Sequence, residues 1–374
     1  MNNRLKEVAL VFFKLGCFAF GGPAAHIAMM EDEVVEKRKW LTRDSFLDLI
    51  GTTNLIPGPN STEMTMHCGY ERAGKKGLFV AGISFIFPAI VITALLAYLY
   101  VKYGELPEVA PFIFGIKPAV LAIIASAVLK LGKKAVKTTE LTVLGVLVLI
   151  VTLLGVNEIA ALLSAGVLGM LYFYIKEKKI SNLNSFSPML FSSSLGLALT
   201  KLSTLKVFLV FLKVGAILYG SGYVLFAYLD AELVTRGWLT RAELIDAIAV
   251  GQFTPGPVLS TSTFIGYQLS GFTGALVATA GMFLPSFLFV LILNPFIPKM
   301  RNSKMLRYFL DAVNVAAVAV MLSVLIVMTK ETLLDWRGIV IALIATVLVF
   351  KTKVSPIWII IMGSLLGYVL IKII

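Results

Sequence analysis

The sequence predicts an all-α polytopic membrane protein made of two inverted-topology repeats. Each repeat holds about five crossing helices and a re-entrant Pro-Gly-Pro helical hairpin. Three observations carry this. Of 374 residues, 58% are hydrophobic and 14% charged, against about 45–50% and roughly 25% in soluble domains. Apolar runs long enough, or nearly so, to cross a bilayer recur along the whole chain. And the stretch NLIPGPNSTEM (Asn54–Met64) reappears two hundred residues later as QFTPGPVLSTS (Gln252–Ser262).

The apolar runs fall at about 8–29, 77–101, 108–129, 141–156 and 159–175, then at about 207–229, 275–297, 308–329, 338–350 and 355–373. Broken apolar segments at about 45–70 and 243–268 are centred on the two Pro-Gly-Pro turns. A first repeat is expected over 1–180, a Ser- and Lys-bearing linker over 181–204, and a second repeat over 205–374. Met1 to Val8 is short and polar, and no small-residue cleavage site follows the first apolar run, so a secretory signal is not expected. Cys17 and Cys68 form no CxxC and no Cys/His ligand spacing, which points away from disulfides and zinc. The net charge of +12 sits in short loops between spans. It reads as a topology signal and not as a nucleic-acid surface.

The halves are copies. Phe12, Lys14 and Gly16 match Phe211, Lys213 and Gly215, and Gly21 matches Gly220. The run WLTR at Trp40–Arg43 recurs at Trp238–Arg241, and Asp48 matches Asp246. Gly69-Tyr70, Gly77 and Pro88 match Gly266-Tyr267, Gly274 and Pro285. The offset drifts only from 199 to 197, which marks an internal duplication.

Charge sets the sense of the copies. If each Pro-Gly-Pro segment returns to its own side, each half crosses five times and the second half enters upside down. One face then carries 22 of the 33 basic residues and the other 8. If the segments cross, the copies are parallel and the split falls to 17 against 13. The positive-inside rule selects inverted repeats, a transporter signature. Both termini are then expected outside a cytoplasmic (inner) membrane.

The breaks place polar groups inside the apolar region. Proline removes a backbone donor and interrupts a helix, and irregular backbone survives in lipid only where protein buries it or it lines a wet cavity. Asn60, Ser61, Thr62 and Glu63 follow Pro59 as a first helical turn, and Ser260, Thr261 and Ser262 follow Pro257. Each is read as a half-helix whose N-terminus, with its orphan N–H groups and partial positive charge, suits an anion. A second break, AFGGPAAH (Ala19–His26), interrupts the first span, and LYGSGYVL (Leu218–Leu225) its copy. The rival reading for these glycines is helix–helix packing by small residues.

Lys14, Lys117 and Lys213 lie within spans. Lys14 and Lys213 are repeat-matched. They read either as anion ligands or as side chains that snorkel to the interface. Lys117, in GIKPAV, lies near mid-span, and its equivalent is Asn314. Glu63 has three readings: a cap for its own helix, a partner for a lysine, or a proton carrier for coupling. His67 and His26 read as proton relays or as packed side chains. Asp48 and Asp246, with Arg43 and Arg241, read as surface ion pairs at the hairpin entrance, and Trp40 and Trp238 as interface anchors.

The segments FGGPAAHIAMMEDEVVEKRKWL, LIPGPNSTEMTMHCGYERAG and GQFTPGPVLSTSTFIGY resemble the signature segments of the chromate ion transporter family in its long, two-domain form. The resemblance covers both halves. It implies efflux of chromate, a tetrahedral dianion, with sulfate as a similar substrate. Carried onto matching positions, the motif residues are Gly21, Gly22, Pro23, Pro57, Gly58, Pro59, Asn60, Ser61, Thr62, Glu63, Pro255, Gly256 and Pro257. Asn54 departs from the family pattern, where glutamine is expected, while Gln252 keeps it. Half-helix N-termini facing each other, hydroxyls of Ser61, Thr62, Ser260 and Thr261, amides of Asn54, Asn60 and Gln252, and one or more lysines would suit a tetrahedral oxyanion.

The reading is therefore a secondary transporter working by alternating access. An anion channel of the same architecture is the first rival. An intramembrane enzyme is the second, and no nucleophile–base pair, metal spacing or cofactor motif supports it. No GxxxxGK[ST] loop is present, so ATP hydrolysis is not expected of this chain. The expected partners are the oxyanion and the lipid bilayer, with no nucleic acid and no cofactor. Small-residue surfaces suggest a homodimer.

Overall fold

The computed structural model describes residues 3–20, 22–178, 203–219, 222–293, 303–352 and 354–372. The chain is an all-α polytopic membrane protein. Its helices are α1 (Asn3–Phe18), α2 (Pro23–Glu31), α3 (Arg43–Thr53), α4 (Asn60–Tyr103), α5 (Ala110–Ala135), α6 (Thr139–Leu153) and α7 (Glu158–Lys178). In the second half come α8 (Thr204–Ile217), α9 (Leu225–Leu229), α10 (Arg241–Phe253), α11 (Thr261–Leu293), α12 (Lys304–Thr332), α13 (Trp336–Lys351) and α14 (Pro356–Lys372). The expected linker lies almost wholly outside the described residues.

α4 and α11 are each two helices joined at a sharp turn. Ala73 and Gly74 leave helical geometry, Gly74 at φ 64°, and Ser270 and Gly271 do the same, Gly271 at φ 62°. The short arm, 60–72, folds back on the long arm, 75–103. Glycine makes this possible: a Cβ on Gly69 would lie 2.4 Å from the Gly77 carbonyl and 2.5 Å from the Ala81 methyl. Gly266 stands in the same relation to Gly274 and Ala278. α3 and the short arm of α4 run about 17 and 20 Å, well short of a hydrocarbon core of about 30 Å. α6, at 15 residues, is also shorter than a full perpendicular crossing, about 22 Å.

The WLTR runs start α3 and α10. Thr42 Oγ1 accepts the Ser45 N–H at 3.2 Å. Thr240 forms a complete capping box with Glu243. The expected Arg241–Asp246 pair is not what forms. Arg241 reaches back to Asp230 at 2.9 Å and to Glu331, while Asp246 faces Lys117 at 3.4 Å. Arg43 likewise reaches back, to Glu31 at 3.3 Å. Trp40 is held by Glu7, to which its indole N–H donates at 3.3 Å.

The halves interlock. α1 lies against the long arm of α4, where Gly16 meets the Phe85 carbonyl, and α8 lies against α11, where Gly215 meets the Met282 carbonyl. The long arms of α4 and α11 lie on each other, with Phe79 and Phe287 stacked at 5.6 Å. Around this centre α5 packs on α13 and α14 of the second half, while α12 packs on α6 and α7 of the first.

Gly115 on α5 and Gly363 and Gly367 on α14 bring two backbones into contact: a Cβ on Gly115 would sit 2.0 Å from the Gly363 carbonyl. Gly115→Val is expected to destabilise the fold by about 1–3 kcal/mol or more through overpacking. Gly51→Ala, with nothing within 4 Å, is expected to be neutral or to stabilise by up to about 1 kcal/mol. Thermal unfolding of the two detergent-solubilised variants measures both.

Candidate functional site

The two Pro-Gly-Pro turns are buried, and each docks on the helix break of the other half. Gly58 N–H donates to the Leu218 carbonyl at 2.6 Å, and Gly256 N–H donates to the Ala19 carbonyl at 2.9 Å. Ala19 and Leu218 are equivalent by the repeat, as are Gly58 and Gly256. The breaks expose these carbonyls because α1 ends at Phe18 and α8 at Ile217. The turns supply the N–H groups because φ of 142° at Gly58 and 92° at Gly256 suits glycine. Side chains are excluded there as well. A Cβ on Gly58 would meet the Glu63 carboxyl at 2.2 Å and the Ser286 hydroxyl at 2.5 Å, and one on Gly256 would meet the Ala89 methyl at 3.0 Å.

The breaks and turns converge further. Gly222 lies beside Val258 and Leu259, at the start of the second half-helix, and Gly22 lies beside the Tyr223 hydroxyl. Tyr223 lies beside Gln252. Thr93, from the long arm of α4, donates toward Ser260 at 3.3 Å and Thr254 at 3.4 Å. Pro59 N-caps α4, and its carbonyl accepts the Thr62 and Glu63 N–H groups. The Asn60 and Ser61 N–H groups are left as the orphan donors of that helix start.

Several buried polar atoms here have no hydrogen-bond partner among the described residues. They are Thr62 Oγ1, both Glu63 carboxyl oxygens, Gln252 Nε2 and Ser286 Oγ. Ser286 lies beside the Glu63 carboxyl, short of hydrogen-bond geometry. Both ring nitrogens of buried His26 are also without partners, its ring edge-on to Phe85 at 5.7 Å. An unpaired buried polar group costs about 1–3 kcal/mol.

Not every expected residue joins this region. Gly21 lies outside the described residues. The Gly58 and Gly256 N–H groups are engaged by carbonyls, so each turn faces a helix break and not the opposite turn. Ser61, Thr62, Ser260 and Thr261 are buried as expected, but Thr261 Oγ1 donates to the Val258 carbonyl at 2.7 Å. His67 is buried on the half-helix.

The lysines are corrected most. Lys14 is exposed and pairs with Glu33 at 3.8 Å, and Lys213 pairs with the repeat-matched Glu232 at 2.6 Å. Both glutamates are buried in a π-helical turn, 32–37 and 230–234, where Lys37 or Arg236 adds a second cation. The lysine–glutamate pairs are thus part of the scaffold. Lys117 pairs with Asp246, to which the Tyr100 hydroxyl also donates at 2.7 Å. Asn54 caps its own helix through the Ile50 carbonyl and accepts from Asn60 at 2.7 Å, whereas Gln252 is buried beside Tyr223. Sequence reasoning missed Ser286, Thr93 and Tyr223. Ser286 and Thr93 lie in apolar spans with no local signal, whereas Tyr223 lies in the LYGSGYVL break, where the glycines drew the reading.

One cleft reaches the start of α4, and two further cavities lie around Lys117. The cleft, of about 200 Å³, is lined by Asn54, Asn60, Lys134, Lys137, Asp311 and Asn314 among others. The cavities are one of about 960 Å³ lined by Tyr100, Lys117, Glu243 and Asp246, and one of about 360 Å³ lined by Lys117, Arg241 and Glu331.

The Chromate transporter family model matches the chain twice, over residues 6–170 and 205–368. The chain is 33% identical to the chromate transport protein of Cupriavidus metallidurans, over 93% of this chain and 88% of that protein. It is 30% identical to the probable chromate transport protein of Synechococcus elongatus (93% and 90% covered) and 27% identical to the chromate transport protein of Pseudomonas aeruginosa (96% and 90% covered). No solved structure matches. A duplicated Pro-Gly-Pro framework, a buried polar centre and these relatives agree: the chain belongs to the chromate transporter family, a family of transport proteins and not of enzymes.

Proposed function

We propose that this chain is a secondary active transporter for chromate, or for the similar dianion sulfate. It works as an exporter across the cytoplasmic membrane by alternating access. The carrying observation is the reciprocal docking of the Pro-Gly-Pro turns on the opposite helix breaks, beside Thr62 Oγ1, Gln252 Nε2 and Ser286 Oγ, which have no partner among the described residues. In this reading the anion binds at the Asn60–Ser61 helix start and displaces water from those groups. Hydroxyls, amides and N–H groups recognise four oxygens. They distinguish chromate poorly from sulfate, which is alike in size and charge.

The two halves are inverted repeats with both termini outside. The interlocked exchange of α5 and α12 between halves gives two equivalent packings of one backbone, which is what alternation between two open states requires. Glu63 is the coupling residue. It is fully buried, and its carboxyl oxygens meet no cation among the described residues. A bare carboxylate there costs several kcal/mol, so loading a proton and loading an anion are linked. Lys14 and Lys213 hold the scaffold acids. An anion channel is the rival reading; accumulation against a gradient separates the two.

Three outcomes are expected. Proteoliposomes holding the wild type should accumulate labelled chromate or sulfate under an imposed pH gradient, and Ser61→Ala with Thr62→Ala should lose at least about tenfold in rate, a change of about 1.4 kcal/mol. Flux that only equilibrates supports the channel, and no flux of either anion sinks the substrate assignment. Glu63→Gln should keep anion exchange and lose pH-driven accumulation; accumulation at the wild-type level removes Glu63 from coupling. A cysteine at Lys75 should react with an impermeant thiol reagent only from the cytoplasmic side, and one at Thr273 only from outside. Labelling of both from one side contradicts inversion.

A further inference from the structure

We infer that the cleft beside Asn54 and Asn60 is the docking site from which the dianion enters, and that Lys134 recruits it. This rests on the transport reading above. The cleft is about 200 Å³ and touches the start of the first half-helix, room for several water-sized groups. Two lysines and one carboxylate line it. Lys137 and Asp311 are paired at 2.6 Å, and Lys134 has no ion-pair partner among the described residues. The cleft therefore keeps one positive charge that no carboxylate among the described residues neutralises. Such a charge at the mouth of a low-dielectric cleft concentrates anions.

The Asn60 amide, hydrogen-bonded to Asn54, lines the same cleft as Asn314. Buried Thr62, with its hydroxyl unpartnered, lies on the same first turn. A dianion held at Lys134 shares the cleft with these amides, Asn60 being the first residue of α4.

The repeat supplies an internal comparison. Lys134 corresponds to Glu331, and Asn314 to Lys117. In the cavity lined by Lys117, Arg241 and Glu331, both cations are neutralised. Lys117 faces Asp246 at 3.4 Å, and Arg241 is held by Asp230 and Glu331. Glu243 lines the neighbouring vestibule with Asp246. One backbone plan thus carries, on one side, a cleft lined by two lysines and one carboxylate and, on the other, a vestibule where Glu105, Glu243 and Asp246 stand against Lys117 and Lys372. Lys134 lies in the last turn of α5, on the face whose Lys and Arg excess reads as cytoplasmic. The asymmetry favours loading from the cytoplasm and release outside.

Equilibrium binding of labelled chromate to the purified full chain tests this, alongside flux in proteoliposomes. Lys134→Gln should weaken binding about tenfold and flatten its salt dependence, Lys134→Arg should restore most of both, and the maximal transport rate should change little. Wild-type affinity and salt dependence in Lys134→Gln, with chromate flux intact in the wild type, overturns the cleft and leaves transport standing. Weakened binding in Lys134→Gln without any wild-type flux keeps the cleft and sinks transport. Absence of both binding and flux in the wild type overturns both. Lys134→Gln that is aggregated on size exclusion is replaced by Asn314→Asp, which adds a negative charge across the cleft and should weaken binding at least as much; wild-type affinity there overturns the cleft equally.

Discussion

Two backbone hydrogen bonds hold the centre of this protein: Gly58 to Leu218 and Gly256 to Ala19. An apolar medium offers no water to an N–H or a carbonyl that a broken helix leaves exposed, and each such group costs several kcal/mol unpaired. The chain breaks four helices in its interior, and at two of these breaks a carbonyl, that of Ala19 or Leu218, accepts a glycine N–H from the other half. Everything near the site follows from this. The turns need glycine because their φ is positive, and they need proline because a helix must start immediately after them.

How much of this is legible in the sequence depends on the range of each interaction. The breaks are legible because proline and glycine act locally, and the hairpin arms because Gly69 and Gly77 recur as Gly266 and Gly274. The buried hydroxyls at Ser61, Thr62 and Ser260 are legible for the same reason, as first-turn residues after each Pro-Gly-Pro. What each turn docks on is not, since nothing local to Gly58 names Leu218. The lysines mislead because a cation inside a span has several physical explanations. The one realised here, neutralising Glu33 or Glu232 in a π-helical turn, depends on a neighbour nineteen residues away. WLTR draws the eye to its tryptophan and arginine, while its threonine caps the helix.

The halves share a backbone plan and differ in side chains where chemistry would matter. Ser286 stands against Gly58 with Glu63 beside it, and Ala89 stands against Gly256. Lys117 is matched by Asn314, and Lys134 by Glu331. Backbone symmetry suits a machine with two equivalent end states, and side-chain asymmetry gives those states different affinities. The first belongs to the geometry described above; the second is where the proposed direction of transport resides.

The reciprocal docking also bears on how the protein is made. The carbonyl that answers Gly58 is 160 residues downstream in the chain, beyond the end of the first half. When the first half has entered the membrane, its Pro-Gly-Pro turn and its Ala19 carbonyl have no partners yet, and α5 has no α14 to lie against. The half-made protein therefore holds unmet polar groups in lipid until the ribosome delivers the rest. Assembly becomes a single late event in which both halves complete each other, and the newborn first half stays a client of the insertion machinery until that event.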